Sequence, residues 1–178
     1  MCKDKKFKEK TKKWFEHSWK YEYLYHFRWL GMPIIQFPQD IIAIQELIWK
    51  VKPDLIIETG IARGGSIILS ASILEIIGSG KVIGIDIDIR RHNRKAIEKH
   101  PLFKRITMIE GSSIDKKVVD QVYKLSKDKK KIMVLLDSNH THKHVLEEMK
   151  AYSSLVTKGS YMVVFDTADE DLPESAFN

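Results

Sequence analysis

Five short apolar runs recur along the chain, and longer segments of mixed polarity separate them. With their flanking polar residues, the runs lie at residues 55–57, 81–86, 105–110, 131–137 and 160–166. Short apolar runs are typical of parallel strands that helices cover on both faces, and helical segments between such strands favour a parallel sheet. The pattern predicts an α/β fold with a Rossmann-like, doubly wound sheet.

The first run leads directly into a glycine-rich turn. Glu58 is predicted to leave this strand at its carboxyl end, where open α/β sheets bind ligands. Gly60, Gly64 and Gly65 let the backbone turn tightly and approach a cofactor, and Ser66 is predicted to cap the next helix, at residues 67–77. The spacing is G-x-x-x-G-G and not G-x-G-x-x-G, so the turn alone supports nucleotide binding only weakly.

The second and third runs end in further candidates for a nucleotide site. Asp86 closes the second run, where a carboxylate accepts hydrogen bonds from ribose hydroxyls, and Asp88 is a nearby substitute. The alternative is that Asp86 only ends a strand, but the glycine turn upstream favours ribose binding. After the third run, Ser112 and Ser113 are predicted either as helix caps or as neighbours of an adenine.

The densest polar cluster, DSNHTHKH, begins at Asp137. One interpretation is a zinc site of Asp137, His140 and His144, with the two histidines on one helical face. A second is structural, with Ser138 or its neighbours capping a helix and His142 in solvent. We favour a third, in which Asp137 binds Mg²⁺ through oxygen and His140 is a general base beside the acceptor.

The fifth run adds a second acid to this cluster. If the fourth and fifth strands are neighbours, Asp137 and Asp166 lie at one edge and share a divalent ion, which would explain two like charges together. The alternative is an ordinary acidic loop. Glu170 and Asp171 are candidates for a third metal ligand.

Composition narrows the class of protein. The chain has 178 residues and a formal net charge of +6, and seven lysines lie in the first 13 residues. A lysine-rich terminus without a recognition motif does not indicate nucleic-acid binding. The single cysteine excludes an internal disulfide, and no apolar run approaches the length of a membrane span. Without a secretory signal, a cytoplasmic protein is expected.

The N-terminal third is predicted to form a cap on the sheet domain. Residues 14–29 are rich in aromatic side chains, which predict either a helix packed onto the domain or an aromatic wall for an acceptor substrate. Asp40 is a predicted N-cap for a helix at residues 41–50. The predicted division is therefore a basic tail and helical cap at residues 1–50 and a Rossmann-like domain at residues 51–178.

Longer blocks of the sequence resemble the cephalosporin hydroxylase family. The blocks span residues 29–167 and include WLGMPIIQFPQD, QELIWKVKPDLIIETGIARGGS, VIGIDIDIRRHNR, EGSSID and LLDSNHTHKHVLEEMKAYSSLVTKGSYMVVFDT. The resemblance implies a class I methyltransferase fold and S-adenosylmethionine as the cofactor. It implies that the methionine end lies near Glu58 and Gly60, the ribose on Asp86 and the adenine by Ser112.

The resemblance also implies a metal near Asp137 and Asp166, and the sequence departs from the family pattern in two places. Phe165 stands where the pattern has an acid before Asp166. The chain also ends after its fifth predicted strand, so the sheet is expected to be truncated there. An unpaired strand edge favours association, which predicts either a missing segment or a covering second chain, such as a homo-oligomer.

The expected function is methyl transfer from S-adenosylmethionine to a hydroxyl of a small molecule or saccharide, assisted by Mg²⁺. A non-catalytic, cofactor-binding homologue is the main alternative. A nicotinamide-dependent oxidoreductase would need the tighter glycine fingerprint that this turn lacks. A literal hydroxylase would need two histidines and a carboxylate around iron, all from the crowded segment at residues 137–144.

Overall fold

The computed structural model describes residues 3–167, whose core is a five-stranded parallel sheet with helices on both faces. The strands are, in chain order, β1 Arg28–Trp29, β2 Met32–Pro33, β3 Leu55–Thr59, β4 Lys81–Asp86, β5 Ile106–Glu110, β6 Ile132–Leu136 and β7 Met162–Val164. The α-helices are α1 Lys5–Trp19, α2 Pro38–Val51, α3 Gly65–Ile77, α4 Arg91–Lys99, α5 Lys116–Ser126 and α6 His142–Tyr152. Short 3-10 segments lie at Tyr23–His26, Pro101–Arg105 and Ser153–Leu155.

The strand order of the sheet is β5-β4-β3-β6-β7, and all four pairings are parallel. The chain adds β4 and β5 on one side of β3 and then β6 and β7 on the other. This reversal creates a crevice at the carboxyl ends of β3 and β6, which is where doubly wound sheets bind ligands. The predicted fold class is confirmed, and so is the predicted pairing of the fourth and fifth runs.

Successive residues of each strand point to opposite faces of the sheet and contribute to two separate hydrophobic layers. Ile56 of β3 packs with α2, α3 and α4 on one face. Leu55 and Ile57 pack on the other face with α5 and with Tyr152 of α6. Because both faces are covered, β6 is apolar throughout and β3 is apolar from Leu55 to Ile57, which is why their sequence runs are continuous.

The cap predicted from the aromatic residues packs through α1 and a short hairpin of β1 and β2. The rings of Phe15 and Phe37 have centroids 5.0 Å apart, which holds α1 against the start of α2. Trp29 Nε1 donates to Ser72 Oγ of α3 at 2.9 Å. The division of the chain into a cap at residues 1–50 and a domain at residues 51–178 stays a prediction.

Several predicted element ends are wrong. Helix α2 begins at Pro38, with Phe37 as its N-cap residue, so Asp40 lies in the first turn and is not a cap. Strand β7 ends at Val164, so Asp166 follows the strand in a turn. No helix within residues 3–167 is long and apolar enough to cross a membrane.

Candidate functional site

A cavity of about 200 Å³ opens at the carboxyl ends of the central strands. It is bordered by the turn after β3, the end of β4, the loop after β5 and the loop after β6. Its lining residues are Gly60, Ala62, Ile85, Asp86, Ile87, Ser112, Ser113, Asp137, Ser138, Asn139 and His144. Four predicted site residues therefore line one cavity, namely Gly60, Asp86, Ser112 and Asp137.

Gly60 allows the closest approach of two loops at this cavity. Its φ is +92°, and a Cβ atom there would lie 1.8 Å from the carbonyl oxygen of Asp137. Gly64 and Gly65 are not among the lining residues. A Cβ at Gly65 would lie 2.3 Å from the carbonyl oxygen of Pro33, so that glycine lets α3 approach the hairpin. The predicted glycines thus divide between the cavity and the packing behind it.

Ser66 does not cap α3, which corrects the prediction. The N-cap residue is Gly64, at φ +89°, and no side chain caps the helix. Ser66 is in the first turn, and its side chain hydrogen-bonds to Glu58. Ser66 therefore interacts with the buried Glu58 and does not cap the helix as the sequence pattern predicted.

Glu58 lies inside β3 and not at its end, because the strand continues through Thr59. Only 1% of Glu58 is exposed, and Ser70 Oγ donates to its Oε2 at 3.3 Å. Burial raises its pKa to about 7, although hydrogen bonds from Ser66 and Ser70 oppose the shift. Within residues 3–167, Glu58 Oε1 and Gln36 Oε1 are buried without a hydrogen-bond donor. Both atoms suit a ligand that brings N–H groups, such as an ammonium.

Asp86 has a structural task that the sequence did not reveal. Its Oδ2 accepts from the backbone N–H groups of Ile61 at 2.8 Å and Ala62 at 2.9 Å, and its Oδ1 accepts from Asp88 N at 3.1 Å. The carboxylate therefore holds the turn after β3. A carboxylate has about four acceptor positions, so room remains for a ligand hydroxyl at the cavity wall.

Three side chains next to the cavity form a candidate metal site. Asp137, His140 and Asp166 each offer one ligand atom, and these atoms lie within 4.8 Å of one another. His140 Nε2 is 3.3 Å from Asp166 Oδ2. Asp166 follows β7 in a left-handed turn at φ +54°. Carboxylate oxygens and an imidazole nitrogen together are ordinary ligands of divalent cations.

The charges around this triad favour a cation. Burial raises the pKa of Asp137 well above its usual range, and the negative charges of Asp166, Glu58 and Asp40 raise it further, whereas a hydrogen bond from Gln36 lowers it. Burial also raises the pKa of Asp166, and His140 opposes that shift. Carboxylates that raise one another's pKa repel when ionised. A divalent ion would remove that repulsion.

The cluster separates the histidines that the sequence placed on one helical face. Helix α6 begins at His142, so His140 precedes it and turns toward Asp166. His144 instead lies 3.1 Å from Ser113 Oγ, through its Nε2. His142 is exposed, as predicted. The zinc interpretation that combines His140 with His144 is therefore wrong, and Glu170 and Asp171 lie outside the described residues.

A buried polar network behind His144 was missed in the sequence. Glu148 Oε1 accepts from Ser138 Oγ at 2.7 Å and lies 3.4 Å from His144 Nε2. Tyr152 donates its hydroxyl to the carbonyl oxygen of Ser113 at 2.5 Å. Ser112 and Ser113 do not cap α5, whose N-cap residue is Asp115. The i, i+4 spacing of His144, Glu148 and Tyr152 is the signal that could have revealed the network.

A second cavity, of about 310 Å³, meets the metal triad at Asp166. Phe15, Phe37 and Asp40 line it together with apolar residues of α2 and the end of β7. Burial and the charge of Asp166 raise the pKa of Asp40. The aromatic wall predicted for residues 14–29 thus borders an open space, through Phe15.

This fold, with a cavity at its topological switch point, is that of the class I methyltransferases. The chain matches the model of the rhamnosyl O-methyltransferase/CmcI family over residues 21–178. It belongs to that family, which confirms the resemblance noted from the sequence.

Two curated relatives and three solved structures illustrate the match. The chain is 33% identical to a rhamnosyl O-methyltransferase of Mycobacterium leprae (strain TN), covering 78% of this chain and 59% of the relative. It is 32% identical to one of Mycobacterium bovis (strain BCG / Pasteur 1173P2), covering 85% and 62%. The chain therefore spans about three fifths of the length of these relatives.

The structural likenesses are at low identity and bear on the fold alone. A CmcI structure described as Mg-SAM aligns with a TM-score of 0.62 at 20% identity, covering 82% of this chain and 60% of that one. A CmcI structure described as SAH gives 0.60 at 19%, covering 83% and 70%. A putative caffeoyl-CoA O-methyltransferase from Staphylococcus aureus gives 0.63 at 18%, covering 78% and 61%.

Proposed function

We propose that the protein transfers a methyl group from S-adenosylmethionine to a saccharide hydroxyl, with a divalent cation at the acceptor. One observation carries this proposal: a nucleoside-sized cavity and the triad of Asp137, His140 and Asp166 meet at one sheet edge. The relatives named rhamnosyl O-methyltransferase support the acceptor class. The CmcI structure described as Mg-SAM supports the cofactor and the metal.

The chain's own residues fit the two ends of such a cofactor. The unpartnered Oε1 of Glu58 and the narrow approach at Gly60 suit the amino group of the methionine end. Asp86 suits the ribose hydroxyls, and Ser112 suits the adenine. When bound, the sulfonium supplies the methyl group that the acceptor oxygen attacks in line.

The triad suits the acceptor side of the reaction. Asp137 and Asp166 would hold Mg²⁺, which lowers the pKa of a coordinated hydroxyl and orients it. His140 would accept the hydroxyl proton at Nδ1, since its Nε2 faces Asp166 Oδ2 at 3.3 Å and that carboxylate would stabilise the imidazolium. Transfer of the methyl group from sulfur to oxygen would leave S-adenosylhomocysteine and a methyl ether as the products. The fold contributes mainly by holding the two reactants in line.

We place the acceptor in the second cavity. Phe15 and Phe37 offer ring surfaces to the apolar face of a sugar, and Asp40 offers oxygen atoms to its hydroxyls. The cavity meets the triad at Asp166, so an acceptor bound there reaches the metal site. Asp40→Asn should raise the KM for the acceptor several-fold and leave S-adenosylhomocysteine binding unchanged.

Calorimetry with S-adenosylmethionine, S-adenosylhomocysteine and NAD, each with and without Mg²⁺, tests the proposal. We expect binding of both S-adenosyl compounds and none of NAD. Methyl transfer to a rhamnoside in the presence of Mg²⁺ would complete the support. Tight binding of NAD without binding of S-adenosylhomocysteine would overturn it. Binding without turnover on any saccharide would instead favour a non-catalytic homologue.

A further inference from the structure

We propose that Glu148 is a positioning residue that makes the cofactor cavity select adenosine over inosine. The inference rests on the proposed function and concerns a residue that the reaction itself does not use. Glu148 lies on α6, and its side chain is 1% exposed. Two of its neighbours, Ser138 and His144, line the cavity. Its effect would reach the ligand only through them.

A buried carboxylate is costly to a fold unless its partners compensate. Within residues 3–167, the ion-pair partner of Glu148 is His144, and Oε2 of the carboxylate has no donor. An apolar side chain of similar volume would suit this position on α6 if packing alone mattered. The carboxylate stands where the loops after β5 and β6 meet, which points to a task at the cavity.

The carboxylate determines which way the hydrogen bonds of its neighbours run. An ionised carboxylate only accepts, so Ser138 must donate its hydroxyl proton to Glu148 Oε1, at 2.7 Å. Ser138 Oγ then has only lone pairs to offer the cavity. It can accept a hydrogen bond from a ligand but cannot donate one.

The same reasoning gives Ser113 the opposite polarity. Glu148 Oε1, 3.4 Å from His144 Nε2, favours the tautomer with its proton on that nitrogen, because a lone pair there would face the carboxylate. Ser113 Oγ is 3.1 Å from that N–H group and accepts from it. The hydroxyl proton of Ser113 is then free to point into the cavity as a donor. Tyr152 fixes the backbone of Ser113 from behind.

One acceptor and one donor on the cavity wall match the edge of adenine. Adenine carries an exocyclic amine, which donates, next to a ring nitrogen that accepts. Hypoxanthine, the base of inosine, has a carbonyl oxygen and a ring N–H in those places, so its polarity is reversed. Glu148 would therefore act on nucleoside selectivity without touching the nucleoside.

The test compares 5′-methylthioadenosine with 5′-methylthioinosine, which lack the methionine end. We expect the parent protein to bind the adenosine compound at least about tenfold more tightly. That factor corresponds to the cost of one mismatched, buried pair of hydrogen-bonding groups. In Glu148→Gln, the amide can donate a hydrogen bond to Ser138 Oγ, and the hydroxyl proton of Ser138 can then point into the cavity. The ratio of the adenosine affinity to the inosine affinity should therefore fall to about threefold or less. A role in stability alone would lower Tm and leave the ratio unchanged.

Two further variants and one NMR measurement complete the test. Glu58→Gln is the matched control, because it should weaken S-adenosylhomocysteine yet leave the nucleoside ratio at the parent value. Ser138→Ala removes the acceptor directly and should also lower the ratio, which serves if Glu148→Gln does not fold. Histidine NMR should show His144 protonated at Nε2 in the parent and a shifted resonance in Glu148→Gln.

Two results would overturn the inference, and only the second would also overturn the proposed function. If the parent binds S-adenosylhomocysteine and both variants keep the adenosine preference, the inference alone fails. If the parent binds neither S-adenosylhomocysteine nor 5′-methylthioadenosine, the proposed function fails with it.

Discussion

Gly60 and Asp137 lie so close that only glycine fits at the first position. A Cβ atom at residue 60 would be 1.8 Å from the carbonyl oxygen of Asp137, and the φ of +92° adds strain for any other residue. The contact joins the turn that borders the cofactor cavity to the loop that carries Asp137 and His140 of the candidate metal triad. The two candidate sites are therefore coupled through backbone, and a change at Gly60 should disturb both.

Gly60→Ala should destabilise the protein and abolish cofactor binding, because the two loops must separate. The measurements are Tm and calorimetry with S-adenosylhomocysteine. Gly78→Ala is a matched control, since Gly78 has φ +88° and no atom within 4 Å of an added Cβ. That variant should lose only about 1–2 kcal/mol from backbone strain and bind normally. Equal effects of the two substitutions would show that the contact with Asp137 is unimportant.

Asp86→Ala should weaken cofactor binding by about 1–3 kcal/mol, since a ligand hydroxyl loses a charged acceptor. It should also lower Tm, because the N–H groups of Ile61 and Ala62 lose their acceptor. Asp88→Ala is the control, since Asp88 is exposed and enters the network only through its backbone N–H. Calorimetry and thermal unfolding separate the two effects. Unchanged affinity in Asp86→Ala would refute the ribose assignment.

The strands could be predicted because burial on both faces leaves continuous apolar runs. The run at residues 81–86 coincides with β4 Lys81–Asp86, and the end of β6 placed Asp137 at the correct edge. The sequence also placed Asp137 and Asp166 together, since parallel neighbours end at the same edge. Periodicity thus determined the sheet and the location of its acids.

The helix ends and the polar network could not be predicted, because each depends on which partner a polar side chain finds in three dimensions. Ser66 has the features of a cap but bonds to the buried Glu58. Helix α6 begins two residues after His140, so His140 and His144 do not share a helical face. His140 contacts Asp166 and His144 contacts Ser113. Glu148 is one of several charged residues in its segment, and only its i, i+4 spacing to His144 and Tyr152 distinguishes it from its neighbours.

Stability should fall as the pH rises through the titration of Glu58. Burial raises the pKa of Glu58 from 4.5 to about 7 in the folded protein, so the folded state binds more protons than the unfolded state between those values. The free energy of unfolding therefore decreases from about pH 4.5 to about pH 7. The shift corresponds to about 3 kcal/mol from this one group.

Urea unfolding at several pH values measures this loss, with Glu58→Gln as the comparison. The variant cannot ionise at this position, so its stability should fall less over the same range. The remaining slope reports other groups, since Asp137, Asp166 and Asp40 also have a raised pKa. Identical slopes in the two proteins would mean that Glu58 titrates normally when folded.

Asp137 and Asp166 should act as one unit toward a divalent cation. Asp137→Asn and Asp166→Asn should each lower Mg²⁺ affinity by at least about tenfold, the smallest loss seen when groups that support a metal ligand are removed. The double variant should lose little more than the worse single variant, because one carboxylate cannot hold the ion alone. Asp120→Asn, at an exposed position of α5, is the control and should leave Mg²⁺ affinity unchanged.

The metal-free proteins should show the opposite trend, which separates a metal site from an ordinary acidic loop. Asp166→Asn removes a charge that raises the pKa of Asp137 and Asp40, and Asp137→Asn removes the buried carboxyl that the neighbouring acids surround. The Tm of each variant without metal should therefore equal or exceed that of the parent. With Mg²⁺ the parent should gain Tm through ligand binding, and the variants should not. S-adenosylhomocysteine binding should survive in all three variants, since Glu58, Asp86 and Ser112 are intact. Small, additive losses of Mg²⁺ affinity, with no difference in the Tm response, would mark these carboxylates as loop residues without a metal.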